Sequence, residues 1–263
     1  MTLLKVSDVG IAFGGVKAID GVGFTVAPGE ILSIIGPNGA GKTTLFNVVS
    51  GMYAADHGRI ELDGRDVTGL PPDELATRGL SRTFQNLQIF HRMTAAENVM
   101  VGRHLQERCS LFADLLRLPS VTRQNRATRA AALMLLDQVG LRDVADVADV
   151  AAGSLSYGAS KRLEIARALA AEPRVLLLDE PAAGCNSVET EEIDRLICRV
   201  ADQGIAVVLV EHDMKLVMKI SHRILVLNQG RMLVEGTPDE VRHNPLVAEA
   251  YLGRHGAREA ARA

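Results

Sequence analysis

The spacing of apolar positions along this chain changes twice. "LLKVSDVGIAF" and "GVGFTV" read as strands, and Gly14-Gly15, Asp20-Gly21 and Pro28-Gly29 read as the turns around them. "ILSII", Ile31 to Ile35, is almost wholly apolar, as expected of a strand buried on both faces. "GRIELDG" is another strand, closed by Asp63-Gly64. From about Pro72 to Ala171 the pattern becomes mainly helical, and Thr94 with Glu97 in "TAAENVMVGRHL" predicts a capping box. Strand and helix then alternate: "RVLLLD", a helix from about Ser187 to Ala201, "IAVVLV", a helix after Asp213, and "RILVLNQG". Such alternation predicts a mostly parallel sheet with covered faces, here an α/β core interrupted by a helical insert.

Composition narrows the class. The 263 residues make one large domain or two small ones, and 47% hydrophobic with 23% charged residues is ordinary for a soluble globular protein. A net charge of -3 argues against bulk electrostatic binding to nucleic acid. Cys109, Cys185 and Cys198 lack zinc-type spacing, which points to a reducing compartment and to packing or surface thiols. The N-terminus lacks a basic segment followed by a long apolar core, so no signal peptide is expected. No apolar run approaches the ~18 residues that span a bilayer, so membrane association would require a partner. Arg123, Arg126 and Arg129 share a helical face that is either solvated or meets lipid headgroups or an acidic partner. The tail 254–263 is expected to be flexible.

"GPNGAGKTT", Gly36 to Thr44, carries the first chemistry. A strand precedes it and a helix follows, the context a phosphate-binding loop requires. Gly36, Gly39 and Gly41 free the backbone to turn its N–H groups around phosphate oxygens, with Pro37, Asn38, Ala40 and Thr44 completing the loop. Lys42 supplies positive charge for the β- and γ-phosphates, and Thr43 a hydroxyl for Mg²⁺. "RVLLLDEP" delivers Asp179 and Glu180 to the C-terminal end of a buried strand, where open α/β sheets bind ligands. Asp179 is the candidate Mg²⁺ ligand and Glu180 the candidate base for an attacking water. His212 lies two residues beyond "IAVVLV" and is either a γ-phosphate sensor or a structural or solvated histidine. "LSYGASKRLEIARALA" poses a puzzle. Lys161 and Arg162 fall in the expected first turn of its helix, the wrong charge for an N-terminus unless an anion binds there.

"GPNGAGKTT", "LSYGAS", "LLLDEP" and "VEHD" occur in the order seen in ABC-type ATPases, and the resemblance covers about Leu3 to Gly253. It implies the ABC ATPase fold: a P-loop NTPase core with a mixed, mainly parallel sheet, an N-terminal antiparallel β-region and a helical insert. The implied domains are an ATP-binding core, 1–84 with 173–253, and a helical subdomain, 85–172, with the signature motif. Two ATPase subunits, identical or paralogous, would pack head to tail, each signature capping the γ-phosphate on the other's P-loop. Ser156 and the Gly158 N–H would make that contact, on a helix beginning near Ser160. Phe13 matches the adenine-stacking aromatic, with a core aromatic as the alternative. Gln85 matches the glutamine that reaches Mg²⁺ and the attacking water. "AGCN", Ala183 to Asn186, matches the interface D-loop, with Cys185 and Asn186 in place of leucine and aspartate. Tyr157 and Ala159 replace a signature glycine and glutamine.

"TFQN", "RLEIARAL", "DEPAAG", "VEHDMKLVM" and "GTPDEVRHNPLVAEAYLG" are similar to the ATPase of branched-chain amino acid importers. This implies an ATP- and Mg²⁺-dependent ATPase at the cytoplasmic face of the membrane. It would be held there by permease subunits docking near Gln85–Met93 and served indirectly by a solute-binding protein. Ile89, Phe90 and Met93 offer an apolar socket, or Ile89 packs inside. The competing class is a non-transport ABC ATPase acting on DNA or the ribosome. About 110 residues between P-loop and signature, without sustained heptads, and a single cassette weigh against it.

Overall fold

A computed structural model of the chain describes residues 2–106, 119–141 and 147–251. Cys109 and the tail 254–263 lie outside them. The chain forms two compact units: Met1–Leu80 with Arg174–Glu180 and Ile197–Ala263, and Ser81–Pro173 with Pro181–Leu196. The core expected from the sequence, 1–84 with 173–253, is thus trimmed: 81–84 and 181–196 group with the second unit.

The first unit is built on two sheets. One is antiparallel, from β1 (Leu4–Phe13), β2 (Val16–Val26), β4 (His57–Leu62) and β5 (Arg65–Asp66) in the order β2-β1-β4-β5. The other contains β3 (Ile31–Ile35), β6 (Leu80–Arg82, of which only Leu80 falls in this unit), β7 (Val175–Asp179), β8 (Ala206–Val210), β9 (Arg223–Asn228) and β10 (Arg231–Gly236), in the order β10-β9-β3-β8-β7-β6. β3 runs parallel to β8 and β9 and β7 parallel to β8, while β9 and β10 pair antiparallel. Every residue of β3, β7 and β8 is buried, which explains their uninterrupted apolar runs. Helices α1 (Lys42–Val49) and α2 (Pro72–Thr77) also belong to this unit.

Three hairpins close with two-residue turns whose central residues both have positive φ: Gly14-Gly15, Asp63-Gly64 and Gln229-Gly230. These are the turns whose twist matches that of paired strands. Asp20-Gly21 is not a turn. β2 runs straight through it, with Val9 opposite Val22 and Ile11 opposite Ile19, so the pair is a bulge with Gly21 at φ 72°.

The second unit is helical. It holds α3 (Ala95–Gly102), α4 (Pro119–Gln138) and α5 (Tyr157–Leu169), and it takes the first part of α6 (Ser187–Asp202). α7 (Met214–Ile220) and α8 (Pro238–Arg242) return to the first unit. No helix among the described residues is long and apolar enough to cross a membrane. The capping box forms as expected: the Thr94 hydroxyl accepts from Glu97 N–H (3.2 Å), and the Glu97 carboxylate accepts from Thr94 N–H (2.7 Å). α3 packs on both α4 and α5. At its contact with α5 a Cβ on Gly102 would come within 2.2 Å of the Arg167 carbonyl oxygen, so only glycine permits this crossing. Arg129 on α4 is paired with Asp149 at 2.7 Å, so the expected arginine face is partly engaged within the unit.

Asn98 fixes the loop before α3. Fully buried, it donates to the carbonyls of Phe90 (3.1 Å) and Thr94 (2.9 Å) and accepts from Phe90 N–H (2.8 Å). Asn98→Ala leaves those backbone groups without their partner, an effect worth about 1–3 kcal/mol. Urea unfolding should show that loss of stability, and unchanged stability would remove Asn98 as the anchor of this loop.

Candidate functional site

The apolar strand β3 hands the chain to a tight loop and then to α1. Gly36 leaves the strand so close to β9 that a Cβ would sit 2.2 Å from the Leu227 carbonyl oxygen. Gly39 has φ 77°, and Gly41, the N-cap of α1, has φ 101°. A glycine cap brings no side chain to the helix end, which suits an anion at that position. Lys42 is only 7% exposed and folds back into the loop, donating to the carbonyls of Gly36 (2.7 Å) and Pro37 (3.1 Å). Burial lowers the pKa of its ammonium from the ordinary lysine value, and the carboxylates of Glu180 and Asp179 oppose that shift. Ala40 is buried and Pro37 and Thr44 are half-buried, while Asn38, Gly39 and Thr43 are exposed.

Asp179 ends β7 with 2% exposure. Glu180 follows at φ 51°, a left-handed conformation costly for a side-chain-bearing residue and held here by its N–H bond to the Val210 carbonyl (2.9 Å). Its carboxylate meets His212 Nε2 at 2.5 Å. The parallel pairing of β7 with β8 thus brings Glu180 and His212 together, 32 residues apart in sequence. The Thr43 hydroxyl and Asp179 carboxylate are hard oxygen donors of the kind Mg²⁺ takes. Phe13 is 48% exposed at the end of β1 and meets Tyr53 edge-on, with ring centroids 5.5 Å apart. That disposes of the core alternative for Phe13.

Gln85, Ser156 and Gly158 belong to the second unit. α5 begins at Tyr157 rather than near Ser160, with Ser156 as N-cap accepting from Ala159 N–H (3.3 Å). Lys161 and Arg162 therefore lie beyond the first turn. Lys161 is buried, donates to the Gln85 carbonyl (3.4 Å) and lies 5.8 Å from the centre of the Tyr157 ring. Arg162 pairs with Glu192 at 3.2 Å. The helix end does hold an anion, but an internal one: the Glu189 carboxylate accepts from Gly158 N–H (3.2 Å). Two further residues of α5 grip the segment after Gln85. The buried Glu164 accepts from Gln88 N–H (3.3 Å), and the Arg167 guanidinium lies 5.5 Å from the centre of the Phe90 ring. Burial raises the Glu164 pKa, with hydrogen bonds from Gln88 and Phe84 N–H opposing. Ile89 is 8% exposed and Phe90 47%, so Ile89 packs inside and leaves Phe90 and the half-buried Met93 of the expected socket.

Residues 19–183 match the family profile described as ABC transporter, and residues 231–257 match that of the branched-chain amino acid ATP-binding cassette transporter. The chain belongs to the ABC transporter ATP-binding family. This cassette is 45% identical over 252 residues to the high-affinity branched-chain amino acid transport ATP-binding protein BraF of Pseudomonas aeruginosa, covering 95% of the chain and 98% of BraF. It resembles the crystal structure of the ADP conformation of MJ1267, an ATP-binding cassette of an ABC transporter, with a TM-score of 0.83 and 32% identity over 97% of this chain and 100% of that one. The dimeric post-hydrolysis cassette MJ0796 bound to ADP and Pi aligns with a TM-score of 0.75 and 27% identity, covering 90% and 99%. As an ABC transporter ATPase, the cassette hydrolyses ATP.

Three residues that contact the predicted positions are not among those the sequence singles out. Tyr53 carries no local signal. Tyr251 hydrogen-bonds the Gly36 backbone; burial raises the pKa of its phenol and that bond lowers it. It also lines a cavity of about 560 Å³ with Met214, Met218, Val241 and Val247. Glu189 did have a signal, because Asn186 and Glu189 stand at capping-box spacing. Gly36→Ala would force its Cβ into the Leu227 carbonyl and displace the loop. Calorimetry should show ATP affinity reduced by at least about tenfold, on top of an overpacking cost of about 1–3 kcal/mol in unfolding experiments. Wild-type affinity in this variant would mean that the close approach does not shape the loop.

Proposed function

We propose that the chain is the ATP-hydrolysing subunit of an importer for branched-chain or related amino acids, paired head to tail with a second ATPase subunit, identical or paralogous. One observation carries the catalytic part: the buried Lys42, the strand-end carboxylates Asp179 and Glu180, and His212 fall in one unit at the edge of one sheet. The importer reading draws on the match of residues 231–257 and on BraF, and no observation favours action on DNA or the ribosome. The pairing draws on the dimeric MJ0796 cassette.

In this reading Phe13 stacks on adenine. The N–H groups of Gly36–Thr44 and the Lys42 ammonium hold the phosphates. Thr43, Asp179 and Gln85 would hold Mg²⁺, which would neutralise phosphate charge. Glu180 takes the proton of the attacking water, and His212 orients the γ-phosphate. Ser156 and the Gly158 N–H of the other subunit close the site and stabilise the charge that develops on the phosphoryl group. Permease subunits dock on the exposed Phe90 and on Met93, keeping the subunit peripheral at the cytoplasmic face, and a solute-binding protein acts on the far side.

Glu180→Gln should bind ATP normally and hydrolyse it about 10²–10⁴-fold more slowly, because the amide cannot accept the proton. Phosphate release under single-turnover conditions measures this, and near-normal turnover would exclude Glu180 as the base. The trans arrangement is tested by mixing two inactive chains, Lys42→Ala and Gly158→Asp. Part of the ATPase activity should return, since one composite site is rebuilt from the intact P-loop of one and the intact signature of the other. If the native pair is mixed, the paralogue must be supplied. Loss of ATP binding by monomeric Gly158→Asp would make the signature an element of its own subunit's site.

A further inference from the structure

The start of α6 is a closed hydrogen-bonding unit with one group turned outward. Asn186 Oδ1 accepts from Val188 N–H and Glu189 N–H, both at 3.0 Å. Glu189 reciprocates, its Oε2 accepting from Asn186 N–H (3.1 Å). Its other oxygen, Oε1, accepts from Gly158 N–H in the first turn of α5 (3.2 Å). One carboxylate therefore bridges the N-terminal ends of two helices, both of which favour negative charge. The approach is close: a Cβ on Gly158 would fall 2.4 Å from Glu189 Cδ. The first turn of α5 contains no acidic residue of its own, so this negative charge comes from α6.

We propose that Glu189 is a positioning residue that ties the Ala183–Asn186 turn to the signature helix and yields the Gly158 N–H to an incoming phosphate. This rests on the reading that the Ser156–Gly158 end receives the γ-phosphate of the second subunit. One N–H cannot serve two anions well, and two anions at one helix end repel each other. Phosphate arriving at α5 displaces the carboxylate and breaks the bond between Gly158 and the α6 start, while the Arg162–Glu192 pair still joins the two helices. Occupancy of the signature is thereby reported to the turn next to it, at the cost of a higher phosphate concentration for occupancy.

The test is a titration of the ¹⁵N-labelled full chain with inorganic phosphate, read at the Gly158 and Asn186 amides, with Lys42 and Gly39 amides reporting the P-loop separately. Wild type, Glu189→Gln and Glu189→Ala are compared. The Gln side chain keeps an acceptor without the charge, and it guards against a fold defect in the Ala variant. The phosphate midpoint at Gly158 should fall by about tenfold in Glu189→Ala, with Glu189→Gln intermediate. In wild type the Asn186 amide should shift together with Gly158, and in Glu189→Ala it should stay still. Equal midpoints in wild type and Glu189→Ala, no phosphate response at Gly158 in Glu189→Ala, or a silent Asn186 in wild type would each overturn the proposal. The mixed-chain experiment judges the trans reading independently. Its failure beside a tenfold midpoint shift would leave Glu189 as an internal anion without a second subunit, and its success beside equal midpoints would remove Glu189 alone.

Discussion

A buried cation organises the sheet edge of the first unit. The Lys42 ammonium lies inside the loop that precedes it, held by the Gly36 and Pro37 carbonyls. A buried ammonium is costly unless polar groups and opposite charges surround it. The two carbonyls supply part of that surrounding, and the ends of β7 supply the rest through Asp179 and Glu180. The lengths of β3 and β7 therefore matter as much as their apolar content. Each strand is five residues long, and each ends where its next residue enters this electrostatic neighbourhood.

The second unit meets a related problem with the opposite sign. The N-terminus of α5 requires negative charge, and Glu189 provides it from another helix. The cations that looked misplaced in the sequence have other tasks. Lys161 supports the backbone of Gln85, and Arg162 reaches both the Gly140 carbonyl and Glu192. Lys161, Glu164 and Arg167, three residues apart along α5, form a polar ridge under the segment from Gln85 to Phe90. Charges at that spacing share a helix face, and this face is turned inward.

Much of the fold was legible because its signals are local. β3, β7 and β8 announce themselves as short apolar runs, since strands buried on both faces admit little else. Thr94 with Glu97, and Gly14-Gly15 or Asp63-Gly64 between strands, specify their geometry within a few residues. The P-loop was legible because glycines at Gly36, Gly39 and Gly41 have a backbone purpose that no other residue serves. What failed was whatever depended on a distant partner. Asp20-Gly21 has the chemistry of a turn, and only the register of β2 against β1 reveals a bulge. The start of α5 lies earlier than the sequence suggests, and the carboxylate that meets it lies 31 residues further along the chain. Ile89 and Phe90 are equally apolar neighbours, and only the packing separates the core residue from the surface one.

The glycine at the α3–α5 crossing has a mechanical consequence. With no Cβ at Gly102, the two helices come into backbone contact, and no compressible layer of side chains lies between them at that point. Asn98 fastens the Phe90 loop to α3, while Arg167 and Glu164 fasten the same segment to α5. The stretch is thus clamped from two sides to a pair of helices that cannot slide without breaking the crossing. A force applied at the Phe90 ring would be passed to the Ser156 end of α5 as through a stiff bracket, with little slack lost on the way.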